Sequence, residues 1–345
     1  MNDIPPLPER DLPPGRHRLL KEHLMSEIRQ SEAKTAEEPR TRRAWLRPAV
    51  VGPALAGALA FAVVAGMAVT GMDDGEGVQV GRDGKATYAF APRVNADTKD
   101  NAPEVLSRIA TVAEKSKAVG GIRDDQFVYI RSTVAFVETF KDKAPRLDPL
   151  HRREIWESVD GSRWGLLREP GVETNENERL EPEAGPGETG YDMSTTYRHL
   201  QTLPTDPDEM VKWLYATVEK NDSDVEPDQA AFVLVGDLIK ESLMPPKVSA
   251  ALYRAAARIP GVVVVPDAVD ATGRHGVGVA RIDSRDHSTR HEWIFDKKTM
   301  EYLGERSVAI NDEFGAEPGQ VLGTTAVLER AVVDKAGQLP RTVKS

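Results

Sequence analysis

The 345 residues contain no cysteine. That excludes disulfides, thiolate–zinc sites, a cysteine nucleophile and a lipid anchor through an N-terminal cysteine. Any exported part must hold together by packing alone. Other absences narrow the chemistry further. No GxSxG elbow occurs, and "HEW" at His291–Trp293 does not continue to HExxH. "GRHGVGVAR" precedes no helix and lacks the Lys-Ser/Thr of a phosphate loop. "NDSDVEPD" (Asn221–Asp228) alternates oxygen ligands but lacks the glycine and terminal glutamate of a calcium loop, so it reads as a helix-cap cluster. His287 and His291 are four apart, but in a strand or turn that spacing has no ligand meaning. These absences lead to the expectation of a non-enzymatic protein without metal or cofactor.

Charge is missing from one long stretch. Pro48–Met72 carries none, and its 25 residues would form a helix of roughly 37 Å. That exceeds the roughly 30 Å hydrocarbon core, so the stretch can span a bilayer with some tilt. A cleaved secretory signal is shorter and closer to the N-terminus, and a buried helix of a soluble domain is rarely apolar on all faces for so long. Arg40, Arg42, Arg43 and Arg47 precede the span, while Asp73, Asp74 and Glu76 follow it. Basic residues stay on the cytoplasmic side, which predicts a cell-membrane protein with its N-terminus inside and its C-terminal domain outside.

The chain therefore divides into a cytoplasmic segment 1–47, a transmembrane helix 48–72 and an extracytoplasmic part 73–345. The inner segment has ten Lys/Arg and eight Asp/Glu, leaving 35 against 47 outside. An acidic outer domain argues against nucleic acid or anionic lipid as its partner. In the inner segment Leu20, Leu24 and Ile28 recur at i, i+4, i+8 with Met25 beside them. They make one apolar stripe on a charged helix too short to be stable alone. Docking on a cytoplasmic regulatory protein and a partly disordered tail both fit this pattern.

The outer part reads as α+β, an antiparallel sheet with packed helices. "NAPEVLSRIATVAEKSKAV" predicts an amphipathic helix with Val105, Leu106, Ile109, Val112 and Ala113 on its apolar side and Asn101 as its cap. "DQFVYIRSTVAFVETF" reads as a long strand, and Asp160-Gly161 lies between two alternating runs as a hairpin with a tight primed turn. Across that hairpin Trp156 and Trp164 are expected as packing residues, or alternatively as a ligand-stacking pair. Residues 171–190 are acidic and rich in Pro and Gly, and are expected to be a flexible insertion. Three helices follow, the first capped by Asp206 or Asp208 and carrying Met210, Leu214 and Val218. Strands then return, with turns at Asp270–Gly276 and Asp296–Thr299 and a last strand in "VLGTTAVLERAVVDKAG".

The segments "FVYIRS", "REIWESVDGSRWGLLREPG", "LPTDPDEMVKWLY" and "EWIFDKKTMEYLGER" resemble an actinobacterial family of single-pass membrane proteins of uncharacterised function with an exported C-terminal domain. The resemblance carries over no catalytic residue. The layout is also similar to that of transmembrane anti-sigma factors, which hold a sigma factor inside and sense outside. Their zinc-type helix carries a His and two Cys that this chain does not have. The exported part is similar in pattern to the open antiparallel sheets of lipoprotein-carrier domains. The resemblance implies an extracytoplasmic binding or sensing protein, with an envelope ligand or protein as its partner. A cell-envelope structural or carrier module is the alternative, and an exported hydrolase the third reading.

Overall fold

The computed structural model describes residues 102–138, 146–172, 175–185, 190–221, 226–282, 289–312 and 316–341. The inner segment and the stretch Pro48–Met72 lie outside these residues. Among the described residues no helix is long and apolar enough to cross a membrane.

Three of the helices start where a proline fixes the first turn. Helix α1 covers Ala102–Lys115, the single turn α2 Tyr197–Leu200, α3 Pro207–Asn221, α4 Pro227–Lys240 and α5 Pro246–Ala256. Proline at the first helical position loses only an amide that has no partner in the helix anyway. Asp206 caps α3, its Oδ1 accepting from the Asp208 and Glu209 amides at 2.9 and 3.1 Å. Glu226 caps α4 by accepting from the amides of Asp228 and Gln229. On α1 the buried side chains are Ala102, Val105, Leu106, Ile109 and Ala110. Val112, expected in that stripe, is exposed, because the buried face turns toward Ala110 instead. The expected cap Asn101 lies outside the described residues.

The helices cover one side of a large antiparallel sheet. Its strands are β1 Phe127–Glu138, β2 Arg146–Leu147, β3 His151–Ser158, β4 Gly165–Arg168, β5 Glu178–Leu180, β6 Val263–Val269, β7 His275–Ile282, β8 Thr289–Asp296, β9 Tyr302–Ala309 and β10 Val321–Val333. The order is β5-β4-β3-β1-β10-β9-β8-β7-β6, with β2 on the end of β1. The ladder ends in β5 and β6, so the sheet is not closed. The chain leaves one edge after β5, builds α2 to α5, re-enters at the other edge and returns to the centre as β10. Alternation then assigns the faces. Val264, Val277, Val279, Trp293 and Phe295 join the helical core. Val265, Ala268, Ala280, Ile294 and Leu303 pack together on the other side. Helix α4 lies flush on the sheet: Phe232 stacks on Trp293 at 3.8 Å and 8°. A Cβ on Gly236 would come within 2.7 Å of Trp293 Nε1, so only glycine allows that approach.

The β6–β7 turn bends this half of the sheet back toward its centre. The Ala271 amide donates to the Thr325 carbonyl of β10 at 3.3 Å. The Arg274 guanidinium donates to the carbonyls of Leu303 and Val327, both at 3.0 Å. On the curled side Arg290 and Arg306 are buried around Glu292, at 2.6 and 2.7 Å.

Two expectations change. The β3–β4 hairpin exists, but its register pairs Trp156 with Leu166 and centres on Gly161. The Asp160 carboxylate accepts from the Ser162 amide at 3.0 Å, and Gly161 takes φ +76°, so the turn is longer than the tight two-residue form. The acidic segment 171–190 also contributes structure. Glu178–Leu180 form β5, and the amides of Glu183 and Ala184 donate to the Gly161 carbonyl at 2.9 and 3.1 Å. Leu180, half-buried against the Val128–Ile155 cluster, supplies the apolar contact that composition alone obscured.

Candidate functional site

Two tryptophans flank the β3–β4 hairpin in different environments. Trp156 is fully buried and packs with Phe127, Tyr129 and Val333. Its ring lies 5.0 Å from that of Tyr129, and its Nε1 donates to the Gln338 carbonyl at 2.6 Å. Trp164, just before β4, is 44% exposed. Trp156 is thus a packing residue, as expected, and its burial does not fit the alternative of a ligand-stacking pair with Trp164. Each pairs with an arginine instead: Arg168 sits 5.0 Å from the Trp156 centroid and Arg179 sits 4.3 Å from that of Trp164.

The register puts these groups on one face. Leu166 pairs with Trp156 on one side and with Arg179 on the other, and Arg168 pairs with Glu154. Trp164, Leu166 and Arg168 alternate along the chain, so all three point the same way. Two acids of this face, Glu154 and Glu329, are already engaged. Glu154 accepts from the Tyr129 hydroxyl at 2.6 Å and from Arg152 at 2.5 Å, and Glu329 pairs with Arg131 at 3.2 Å. Burial, together with the Glu154 carboxylate, pushes the Tyr129 hydroxyl up to about 12, so it stays a neutral donor. Arg168 donates from Nε to the Asn177 side chain at 3.2 Å. Among the described residues neither Arg168 nor Arg179 has a carboxylate partner. A guanidinium lying on an aromatic ring keeps its in-plane N–H groups free, which suits it to bind an anion.

The helix side of the same strands is different. There Arg153 pairs with Glu169 at 3.0 Å and with Glu241 at 2.5 Å, and His151 lies 3.6 Å from Glu169. The opposite charges neutralise one another, and this cluster fastens β3 to the end of α4. His291 Nδ1 and the Ser307 hydroxyl are 3.3 Å apart across β8 and β9. Among the described residues no group of three His, Asp or Glu could hold a metal ion. Leu20, Leu24, Met25, Ile28, Arg40, Arg42, Arg43 and Arg47 lie outside the described residues. Sequence reasoning passed over Arg168 and Arg179. The alternation Trp164, Leu166, Arg168 was the signal that could have found the first of them.

No family model and no curated protein matches the chain. Nine chains of solved structures match it. One is from the complex of MucA and MucB of Pseudomonas aeruginosa, with TM-score 0.23 and 14% identity over 70% of this chain and 59% of that one. Another is MucB in complex with MucA(peri), with TM-score 0.22 and 13% identity over 70% and 58%. The chain thus spans less than two thirds of the length of these solved chains. Similarity at this level carries no argument about function. The class rests on the fold itself: an α+β protein built on one large, open antiparallel sheet.

Proposed function

We propose that the chain is a single-pass membrane protein whose α+β domain lies outside the membrane and binds another molecule, without catalysis, as a regulatory or sensing module. The uncharged stretch Pro48–Met72 and its flanking charges support the topology. One observation carries the binding role. In a chain of net charge −10, two arginines lie on tryptophan faces on one side of β4 and β5, without a carboxylate partner among the described residues. The Leu20–Leu24–Ile28 stripe would link that binding to a cytoplasmic partner.

The cysteine-free sequence makes the test direct. Single substitutions Trp164→Cys and Leu24→Cys are exposed to a membrane-impermeant maleimide on intact cells. Position 164 should label from outside, and position 24 only after permeabilisation. The reverse pattern would refute the topology. Deleting residues 1–40 should abolish the regulatory phenotype while leaving binding outside intact. An unchanged phenotype would move the account to an envelope module without signalling.

A further inference from the structure

We propose that the β5 edge and the Arg168–Trp164–Arg179 face together bind an extended, acidic segment of a protein partner, which adds to the sheet as a further strand. This rests on the reading of that face as a binding site and names its occupant.

The backbone supplies the first part. Among the described residues β5 pairs with β4 alone and ends the ladder. Among the described residues no strand lies on its other side, so the edge can accept the main chain of an extended peptide. Strand β6, the other end of the ladder, is less suited. It contains Pro266, and its register shifts between Val265 and Ala268, both of which blunt an edge.

Side chains supply the second part. Arg179 is the middle residue of β5 and stands on the same face as Leu166. A strand laid beside β5 places one side chain directly opposite Arg179, with Cβ atoms about 5 Å apart, and its i±2 neighbours diagonally. The Arg179 guanidinium carbon lies 4.3 Å from the centre of the Trp164 ring, a contact that limits its freedom before the fork meets a carboxylate. Glu178 pairs with Leu167 and so faces the other side of the sheet. Glu181 follows β5 on the arginine face, and Pro182 closes the edge after it. A carboxylate beside Glu181 is repelled, so the acidic residue opposite Arg179 supplies the attraction and one beside Glu181 weakens it.

Charge argues for a segment rather than a whole acidic surface. With a net charge of −10 this chain repels a uniformly acidic body. A short acidic strand gains the local arginines without carrying such a body's charge. An anionic membrane surface, flat and uniformly charged, would meet that general repulsion.

The test uses the full-length chain in non-ionic detergent and labelled, end-blocked hexapeptides that alternate glutamate with valine or lysine with valine, read by fluorescence polarisation. The glutamate peptide should bind at least tenfold more tightly than the lysine peptide, and more weakly as salt rises. Arg179→Ala and Trp164→Ala should each weaken it at least fivefold, and Glu181→Gln should strengthen it. A glutamate–proline peptide, which lacks alternate amide donors, should not bind. Both side chains are exposed, so circular dichroism should show unchanged folding. Equal binding of the glutamate and lysine peptides, or no effect of Arg179→Ala, would overturn the inference. So would binding of phosphatidylglycerol vesicles in place of the peptide, or self-association that Arg179→Ala abolishes. If the glutamate peptide fails to bind while the amides Trp164–Leu180 still exchange more slowly in native membranes than in detergent, this inference falls and the binding reading stands.

Discussion

Replacing each tryptophan by alanine should separate their roles. Trp156 is fully buried, touches Tyr129 at 5.0 Å, carries Arg168 at 5.0 Å and donates to Gln338 at 2.6 Å. Removing a buried tryptophan costs about 3–5 kcal/mol, which combines lost burial and the cavity left behind. The Gln338 carbonyl also loses its donor, so the upper half of that range applies. For a domain of this size each kcal/mol moves the melting temperature by about 2–4 °C, so Trp156→Ala should lower it by roughly 8–20 °C. Trp156→Phe should fall between, since it keeps the ring contact and loses the hydrogen bond. Trp164 is 44% exposed, so Trp164→Ala should cost about 1 kcal/mol or less. Thermal unfolding of the full-length variants, followed by circular dichroism, provides the comparison. If Trp164→Ala destabilises as much as Trp156→Ala, then Trp164 is structural and the assignment of the exposed face is wrong.

Other variants probe the elements that hold the site. Asp160 is pushed up by burial, but the Ser162 amide and the Ser158 and Ser162 hydroxyls outweigh this and hold its carboxyl below the usual range. Its ionised form therefore stabilises the fold above the ordinary carboxylate pKa of about 3.9, and that contribution is lost as pH falls through the lower folded value. Asp160→Asn should lower the melting temperature by more at pH 7 than at pH 3; an equal drop at both would show that charge plays no part. Gly236→Ala should destabilise despite a helix-propensity gain of about 1 kcal/mol, because the added methyl meets Trp293 Nε1. Gly120→Ala, which has open space around it, serves as the neutral control. Glu226→Ala removes the cap of α4 and also the nearest carboxylate of Arg281, which lies 2.7 Å away and is 5% exposed. A loss of about 2–4 kcal/mol in denaturant unfolding is expected, with Glu226→Gln losing less; equal losses would show that the charge contributes nothing.

Local structure was legible where local rules govern it. Prolines and acidic caps marked α3 and α4, and Met210, Leu214 and Val218 are all buried as their spacing requires. The β-branched run Phe127–Glu138 is one strand of 12 residues. What depended on distant contacts was not legible. Nothing in the local sequence marks Arg290, Glu292 and Arg306 as buried, yet they are, in the half of the sheet where the Asp270–Arg274 turn ties β6 and β7 to β10. The hairpin shows how small a difference matters. A two-residue turn at Asp160-Gly161 would pair Trp156 with Gly165, whereas the observed register pairs it with Leu166. A one-residue slip exchanges faces, and this one brings Leu166 and Arg168 to the tryptophan side. The arginine–tryptophan pairs follow from that register and from β5, whose three residues lie in a segment that composition marks as loop.

Hydrogen–deuterium exchange tests the central claim most directly, comparing the full-length chain in native membrane vesicles with the same chain purified in detergent. If the β4–β5 face binds a partner, amides from Trp164 to Leu180 should exchange more slowly in the vesicles and lose that protection on purification. The amides of α1, Ala102–Lys115, should exchange alike in both. Equal exchange of Trp164–Leu180 in the two preparations would contradict the account.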